Sequence, residues 1–422
     1  MIEVKAEEEK KVRCLLVAPP LQEEGGDGYP RELKNLVHTL DMEVADAVLL
    51  TRREPTPAYG IGKGKALEIA DRAKELIVDC IIFDWEIEPS KQRNWEKLVN
   101  LPVFDRNEVI IRIFAQRAQT KEAVLQVELA RLSYSLPRLS HSYGALSRQR
   151  GGSFGNKGSG ETQLELDRRR IEDKIIQIKK ELSQVQVTRS TQHKQRKRTA
   201  TPSCALVGYT NAGKSSLLNA LTGAEVLVED KLFATLDPTT RKLSLAEGSS
   251  LLLTDTVGFI SHLPHTLIEA FKSTLEESAY SDLLLIVVDA SDAACERQYE
   301  QVLRVLAEIG AQDVPRLVLL NKIDRVRDDA LRLSELRTAF PQALPVSAKS
   351  GEGFGNLLSE LTMWLFGTIH DYSIPLEQSS LVELVRKNGT ILSEDWQEAA
   401  VDLSARIPEG RTLALLAQYL VK

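Results

Sequence analysis

The chain has 422 residues, 43% of them hydrophobic and 27% charged, an ordinary composition for a folded protein whose length allows about two to four separate cores. No apolar run approaches the ~20 residues of a membrane span, and the charged start MIEVKAEEEKKVRCLLVAPP does not read as a secretory signal, so a cytoplasmic location is expected; the chain is separately expected to be a monomer. The net charge of −6 is unevenly spread: residues 131–200 hold sixteen Lys and Arg against six Asp and Glu, a balance of +10, which leaves −16 on the rest.

Residues 13–116 alternate apolar runs (RCLLVA, AVLL, CIIFD, PVFD) with helical patterns such as PRELKNLVHTL and KGKALEIADRAKEL. Strands alternating with helices predict an α/β domain over 1–116 with a largely parallel sheet. Its loop AYGIGKGKALE sets Gly60, Gly62 and Gly64 beside Lys63 and Lys65 but lacks the full phosphate-loop spacing, so a tight turn is the favoured reading. Cys14, Cys80, Cys204 and Cys295 are too scattered for a disulfide framework or a zinc site, and buried thiols are expected.

Over 117–188 two helices are predicted. Leu125, Leu129, Leu132 and Leu136 recur at heptad steps on the first, and Leu164, Ile171, Ile175, Ile178, Leu182 and Val185 on the second. Each stripe is too narrow to be buried alone, and antiparallel packing as a hairpin hides both. The alternative is that each helix packs separately on a neighbouring domain. Between them RQRGGSFGNKGSGETQ carries glycines 151, 152, 155, 158 and 160, which puts a glycine-rich, basic stretch at the tip of an arm. A basic block inside an acidic chain suggests a localised polyanion site. The polar run RSTQHKQRKRTA, residues 189–200, reads as a linker.

The chemistry is carried by 201–368. SCALVGYTNAGKSSLLNAL is an apolar strand, then Gly208, Tyr209, Thr210, Asn211, Ala212, Gly213, Lys214 and Ser215 in G-x-x-x-x-G-K-S spacing, then an amphipathic helix. Successive backbone N–H groups and a helix N-terminus converge on phosphate there, Lys214 reaches the β and γ oxygens, and Ser215 ligates Mg²⁺. SLLLTDTVGF ends a buried strand in Asp255, placed to hold Mg²⁺ through water, followed by Thr256, Val257 and Gly258, whose amide can meet the γ-phosphate. RLVLLNKID and ALPVSAKSG add Asn321, Lys322, Ile323 and Asp324, then Ser347, Ala348 and Lys349, at the ends of further strands. Open α/β sheets bind ligands at those carboxyl ends. The Asp324 carboxylate accepts both guanine N1–H and N2–H₂, whereas adenine offers an acceptor at N1 and no N2 amine. Asn321 and Lys322 would brace and cover the base, and the Ala348 amide would meet O6. KLFATLDPTTR offers Thr235, Thr239 and Thr240 for a switch threonine, and spacing does not choose among them. Phe259 follows DTVG where many small GTPases have a water-orienting glutamine. It cannot hydrogen-bond water, which predicts slow intrinsic hydrolysis that rises when a partner reorganises the switches; the bland alternative is a packing residue.

GYTNAGKS, DTVG, NKID and SAK in this order resemble the G1, G3, G4 and G5 elements of translation-factor-class P-loop GTPases. That resemblance selects Thr235 as the switch I Mg²⁺ ligand beside Ser215, with Phe233, Ala234, Leu236 and Asp237 around the nucleotide. Lys214, Thr235, Asp255 and Gly258 are then the catalytic set. YGIGKGK, DRNEVIIRIFAQRAQTKEAVLQVELARLSYSLPRL and LSRQRGGSFGNKGSGETQLELDRRRI further resemble the HflX family, from about Tyr59 to Phe366. DWEIEPSKQRN departs from the Glu-Leu-Ser-Pro-x-Gln type of sequence usual there, which puts only local contacts in doubt. The resemblance implies a Mg²⁺-dependent GTPase that turns GTP into GDP and phosphate. It also implies binding to the large ribosomal subunit, splitting or rescue of stalled ribosomes, often under stress, and a glycine-rich tip reaching ribosomal RNA. A GTP-regulated protein scaffold and an ATP-dependent RNA remodeller using the N-terminal domain are the competing readings. Residues 369–422 read as a small α+β appendage, with Asn388-Gly389 as a turn signal.

Overall fold

The computed structural model describes residues 11–19, 30–51, 56–149, 159–196, 201–223, 232–245, 249–261, 267, 270–271, 278–407 and 411–421. They fall into two compact units, one of 1–187 with 229–236 and 262–272, the other of 188–228, 237–261 and 273–422.

The first unit opens with β1 (Arg13–Ala18), α1 (Arg31–Thr39), β2 (Glu43–Leu49), α2 (Lys63–Glu75), β3 (Cys80–Phe83), α3 (Pro89–Val99), β4 (Val103–Asp105) and α4 (Arg106–Arg117). The strands are all parallel in the order β2-β1-β3-β4. The two central strands carry no apolar/polar alternation because helices cover both faces: β3 is buried throughout and β1 from Cys14 onward. Local chemistry sets the helix ends. Pro89 occupies the first turn of α3, Asn100 stops it at φ +54°, and the Asp105 carboxylate accepts the Glu108 amide at 2.9 Å to cap α4. Trp95 is fully buried, 5.0 Å from the Phe83 ring and 5.4 Å from that of Tyr59, and its indole N–H donates to Tyr59 O. Trp95→Ala would cost about 3–5 kcal/mol.

Next come α5 (Lys121–Gln149) and α6 (Ser159–Arg196). Lys121 pairs with Glu181 and Glu128 with Lys174, so later residues of one helix meet earlier residues of the other, and the two run antiparallel. The stripes face inward: Leu129 and Ile178 are buried and Ile171, Ile175, Leu182 and Val185 half-buried, while Leu166 and Ile176, off the stripe, are exposed. The Leu164 side chain and the glycine-rich tip, 150–158, lie outside the described residues. A correction concerns 189–200, expected to be a linker: α6 continues through Arg196. The segment has no Gly or Pro, and extending an existing helix needs no new nucleus and no apolar stripe.

The second unit contains β5 (Ser203–Gly208), α7 (Lys214–Thr222), β6 (Thr239–Ser244), β7 (Ser250–Asp255), β8 (Leu283–Asp289), α8 (Cys295–Glu308), β9 (Arg316–Asn321), α9 (Ala330–Ala339), β10 (Leu344–Pro345) and α10 (Phe354–Phe366). Its sheet order is β10-β9-β8-β5-β7-β6, parallel except for β6. The C-terminal appendage follows as β11 (Ile369–Pro375), α11 (Ser380–Asn388), β12 (Thr390–Trp396), β13 (Ala400–Arg406) and α12 (Arg411–Leu416), an antiparallel sheet β11-β13-β12 with its own apolar core. Asn388-Gly389 turns a helix into a strand rather than joining two strands. All four cysteines are buried, and burial pushes the Cys14, Cys80, Cys204 and Cys295 thiols up, so they stay protonated. Among the described residues no helix is long and apolar enough to cross a membrane.

Candidate functional site

In the second unit the predicted residues gather at the carboxyl ends of β5, β7, β9 and β10. The loop after β5 turns through Gly213, at φ +92°, into α7. A Cβ on Gly213 would stand 2.3 Å from Asn321 Nδ2, so the loop can lie against the end of β9 only with glycine there. Lys214 is 6% exposed, and its ammonium donates to Gly208 O at 3.1 Å and Tyr209 O at 2.9 Å. Burial pulls its pKa down to about 8, with the Asp255 charge opposing the shift. An anion brought into this loop would offset that desolvation.

Ser215 Oγ donates to Asp255 Oδ2 at 2.6 Å, and Asp255 is fully buried at the end of β7. A hydroxyl and a buried carboxylate held together are hard oxygen donors of the kind Mg²⁺ takes alongside substrate phosphates. Among the described residues no group of three or more His, Cys, Asp or Glu could hold a metal ion. Past Asp255, the Thr256 hydroxyl donates to Leu206 O at 2.7 Å and Val257 is buried, so both lock the strand. Gly258 lies against the loop: a Cβ there would be 2.9 Å from Thr210 Cγ2 and 3.0 Å from Lys214 Nζ. Phe259 is 1% exposed and bridged to Tyr209: its amide donates to Gly208 O, its carbonyl accepts the Thr210 amide at 2.7 Å, and the Ser261 amide donates to Tyr209 Oη. Its side chain is buried, and its backbone zips the phosphate loop to the segment that follows Asp255.

On the base side, Asn321 Nδ2 donates to Ala212 O at 2.8 Å, and Asn321 Oδ1 accepts the Ala348 amide at 3.0 Å. That amide, expected to meet guanine O6, is thus engaged by Asn321 in this arrangement. Asp324 sits in a short 3₁₀ turn, Ile323–Arg325, with Ile323 buried. Ser347 Oγ donates to Asp324 Oδ1 at 2.6 Å and holds its carboxyl below the usual range, with the nearby Lys349 charge adding to the effect, so it stays an ionised double acceptor. Lys322, at φ +62°, donates to Asn211 O and meets Asp289 Oδ2 at 2.7 Å. Asp289 was missed from sequence. It is the polar end of the apolar run LLLIVVD, the same signal that marked Asp255 and Asn321.

The candidate switch segment falls elsewhere. Phe233, Ala234, Thr235 and Leu236 belong to the first unit, whereas Asp237 belongs to the second. The Phe233 ring packs edge-on against Phe114 of α4 at 4.6 Å, Phe271 meets the same ring edge-on at 4.8 Å, and the Leu232 amide donates to Thr39 Oγ1. Sequence reading had counted 232–236 with the GTPase domain because motif order says nothing about which core an aromatic enters.

A mostly parallel sheet with a phosphate loop after its first strand, a Ser–Asp pair beside it and an Asn-Lys-x-Asp turn on the base side defines a P-loop GTPase. Sequence comparison agrees: residues 203–322 match the family profile described as 50S ribosome-binding GTPase, 29–115 that of a GTP-binding GTPase N-terminal region, and 117–196 that of a GTP-binding GTPase middle region. The GTPase HflX of Akkermansia muciniphila is 44% identical, covering 97% of each chain, and that of Escherichia coli K12 is 40% identical, covering 90% of this chain and 89% of its own. The chain belongs to the HflX family of GTPases. A GTP-binding protein of Sulfolobus solfataricus, solved with GDP, is 26% identical over 84% of this chain and 98% of its own, with a TM-score of 0.45.

Proposed function

We propose that this GTPase works on the ribosome, binding the large subunit and splitting or rescuing stalled particles in the cytoplasm, with turnover raised by the subunit. The observation that carries the reading is the antiparallel arm, whose α6 exposes Arg168, Arg169, Arg170, Lys179 and Lys180 along a stretch stiffened by the paired stripes. Rigid basic projections suit folded RNA, where phosphate contacts supply affinity and shape supplies selectivity. The match of 203–322 to a 50S ribosome-binding profile points the same way.

In the catalytic reading, Lys214 leaves its loop carbonyls for the β and γ oxygens of GTP, the Gly258 amide meets the γ-phosphate, and Asp324 accepts the two guanine donors while Lys322 covers the base. Mg²⁺, held by Ser215 with Asp255 behind, would neutralise phosphate charge as it develops. No polar side chain stands at 259 to orient water, so turnover is slow until a partner completes the site.

The test is sedimentation with isolated large subunits in a non-hydrolysable GTP analogue. The protein should move into the subunit peak, and this should weaken as salt rises. Failure to shift at low salt would remove the ribosome from the account and favour a protein partner for the arm.

A further inference from the structure

We propose that Asp289 is a positioning residue for guanine-nucleotide retention: it fixes the Lys322 ammonium so that the lysine ties the base-reading turn to the phosphate loop. The inference rests on the nucleotide reading of this site. Lys322 has a left-handed backbone conformation that is costly for a non-glycine residue, so its surroundings must hold it there. Its stem passes Gly213, where a Cβ would be 3.9 Å from Lys322 Cε, and its ammonium ends between two acceptors, Asn211 O at 2.8 Å and Asp289 Oδ2 at 2.7 Å. The side chains are only 16% and 14% exposed, so water screens the pair weakly.

Asp289 is itself preorganised. Its Oδ1 accepts the Ser291 amide at 3.0 Å and the Ser291 hydroxyl at 2.7 Å, which turns Oδ2 toward Lys322. The Ala290 amide donates to Asn321 O, one residue before the lysine. Behind this turn Arg332 donates to Ala290 O, Asp292 O and Cys295 Sγ, fixing it from α9. Without the carboxylate, the lysine ammonium would keep one backbone carbonyl as partner and would relax toward solvent, as long cationic side chains do. The phosphate loop and the Asp324 turn would then lose the Lys322–Asn211 tie, while Asn321 still donates to Ala212 O.

Asp289→Asn separates the two roles of the carboxylate, since an amide oxygen still accepts from Ser291 while its NH₂ faces the ammonium donor to donor. The experiment measures dissociation of mant-GDP and mant-GTP from the full chain by stopped flow for wild type, Asp289→Asn, Lys322→Ala, the double variant, Ser291→Ala and Lys214→Ala. Asp289→Asn should speed release of both nucleotides about tenfold, the worth of one charged hydrogen bond. The double variant should be no faster than Lys322→Ala alone, and Ser291→Ala should have the smaller effect. Additive effects of Asp289→Asn and Lys322→Ala, or unchanged release with Asp289→Asn, would overturn the inference. Lys214→Ala that binds mant-GDP as tightly as wild type would instead overturn the underlying site. A variant that unfolds is replaced by Ser291→Ala combined with Lys322→Ala, where additivity again counts against the inference.

Discussion

Two parallel sheets in this chain meet the same structural problem in opposite ways. At the carboxyl ends of β3 and β4 in the first unit, polar residues close on one another: Arg106, 3% exposed, pairs with Glu32 and Asp84, and Asp105 accepts from Arg138, Tyr134 and the Ile87 amide. Arg138 also lies 3.4 Å over the Tyr134 ring and donates to Ile87 O, so the network fastens the root of α5 to the sheet. In the second unit the strand ends carry Asp255, Asp289 and Asn321, and their partners are Ser215 in the first turn of α7, Lys322 and a loop carbonyl, arranged around the place for phosphate and base. A strand end can therefore close a fold or hold a ligand, and sheet topology does not decide which. Who satisfies the polar groups decides.

The ligand-holding sheet is most sensitive at Lys214. Lys214→Ala should reduce GTP turnover by about 10²- to 10³-fold, the worth of one donor aimed at developing charge, measured as phosphate release at saturating GTP; a loss under about threefold would mean the loop does not hold the γ-phosphate. The mirror experiment in the other sheet is Arg106→Ala. It strands two carboxylates in a closed network and should cost about 3–5 kcal/mol in denaturant unfolding, with GDP affinity shifting far less than stability. Equal loss of nucleotide binding would show that the first sheet's edge serves the ligand after all.

A pH series sharpens the difference further. The Lys214 pKa of about 8 lies below that of free lysine, and bound phosphate would raise it by favouring the charged form. Below pH 8 the ammonium is protonated with or without nucleotide, so affinity for GDP should be flat. Above pH 8 binding must take up a proton, so affinity should fall by as much as about tenfold per pH unit until the pKa of the bound state is reached. Titration calorimetry near pH 8.5 in two buffers of different ionisation enthalpy reads that uptake directly. A flat profile to pH 9.5 would contradict the assignment.

Much of this was legible in the sequence, for physical reasons that differ by region. GYTNAGKS, DTVG, NKID and SAK are readable because phosphate and guanine chemistry fix residue type and spacing together. The arm is readable because narrow leucine and isoleucine stripes cannot stay exposed, and the Lys121–Glu181 and Lys174–Glu128 pairs report the same antiparallel order. Helical continuation over 189–196 was not readable, since an exposed helix end leaves no periodic mark. Nor was the packing of Phe233 on Phe114, because an aromatic in a polar segment does not announce which core it enters. Asp289 was within reach: a lone carboxylate ending a continuous apolar strand carried the same mark as Asp255, but no motif drew attention to it.

In the proposed function a slow GTPase is completed by the large ribosomal subunit through a basic arm. The most direct measurement is steady-state phosphate release with and without isolated large subunits, for the native chain and for one carrying Arg168→Glu, Arg169→Glu and Arg170→Glu. The account predicts slow turnover alone, strong stimulation of the native chain, and little stimulation of the charge-reversed chain at the same salt. Equal rates with and without subunits, or full stimulation after charge reversal, would contradict it.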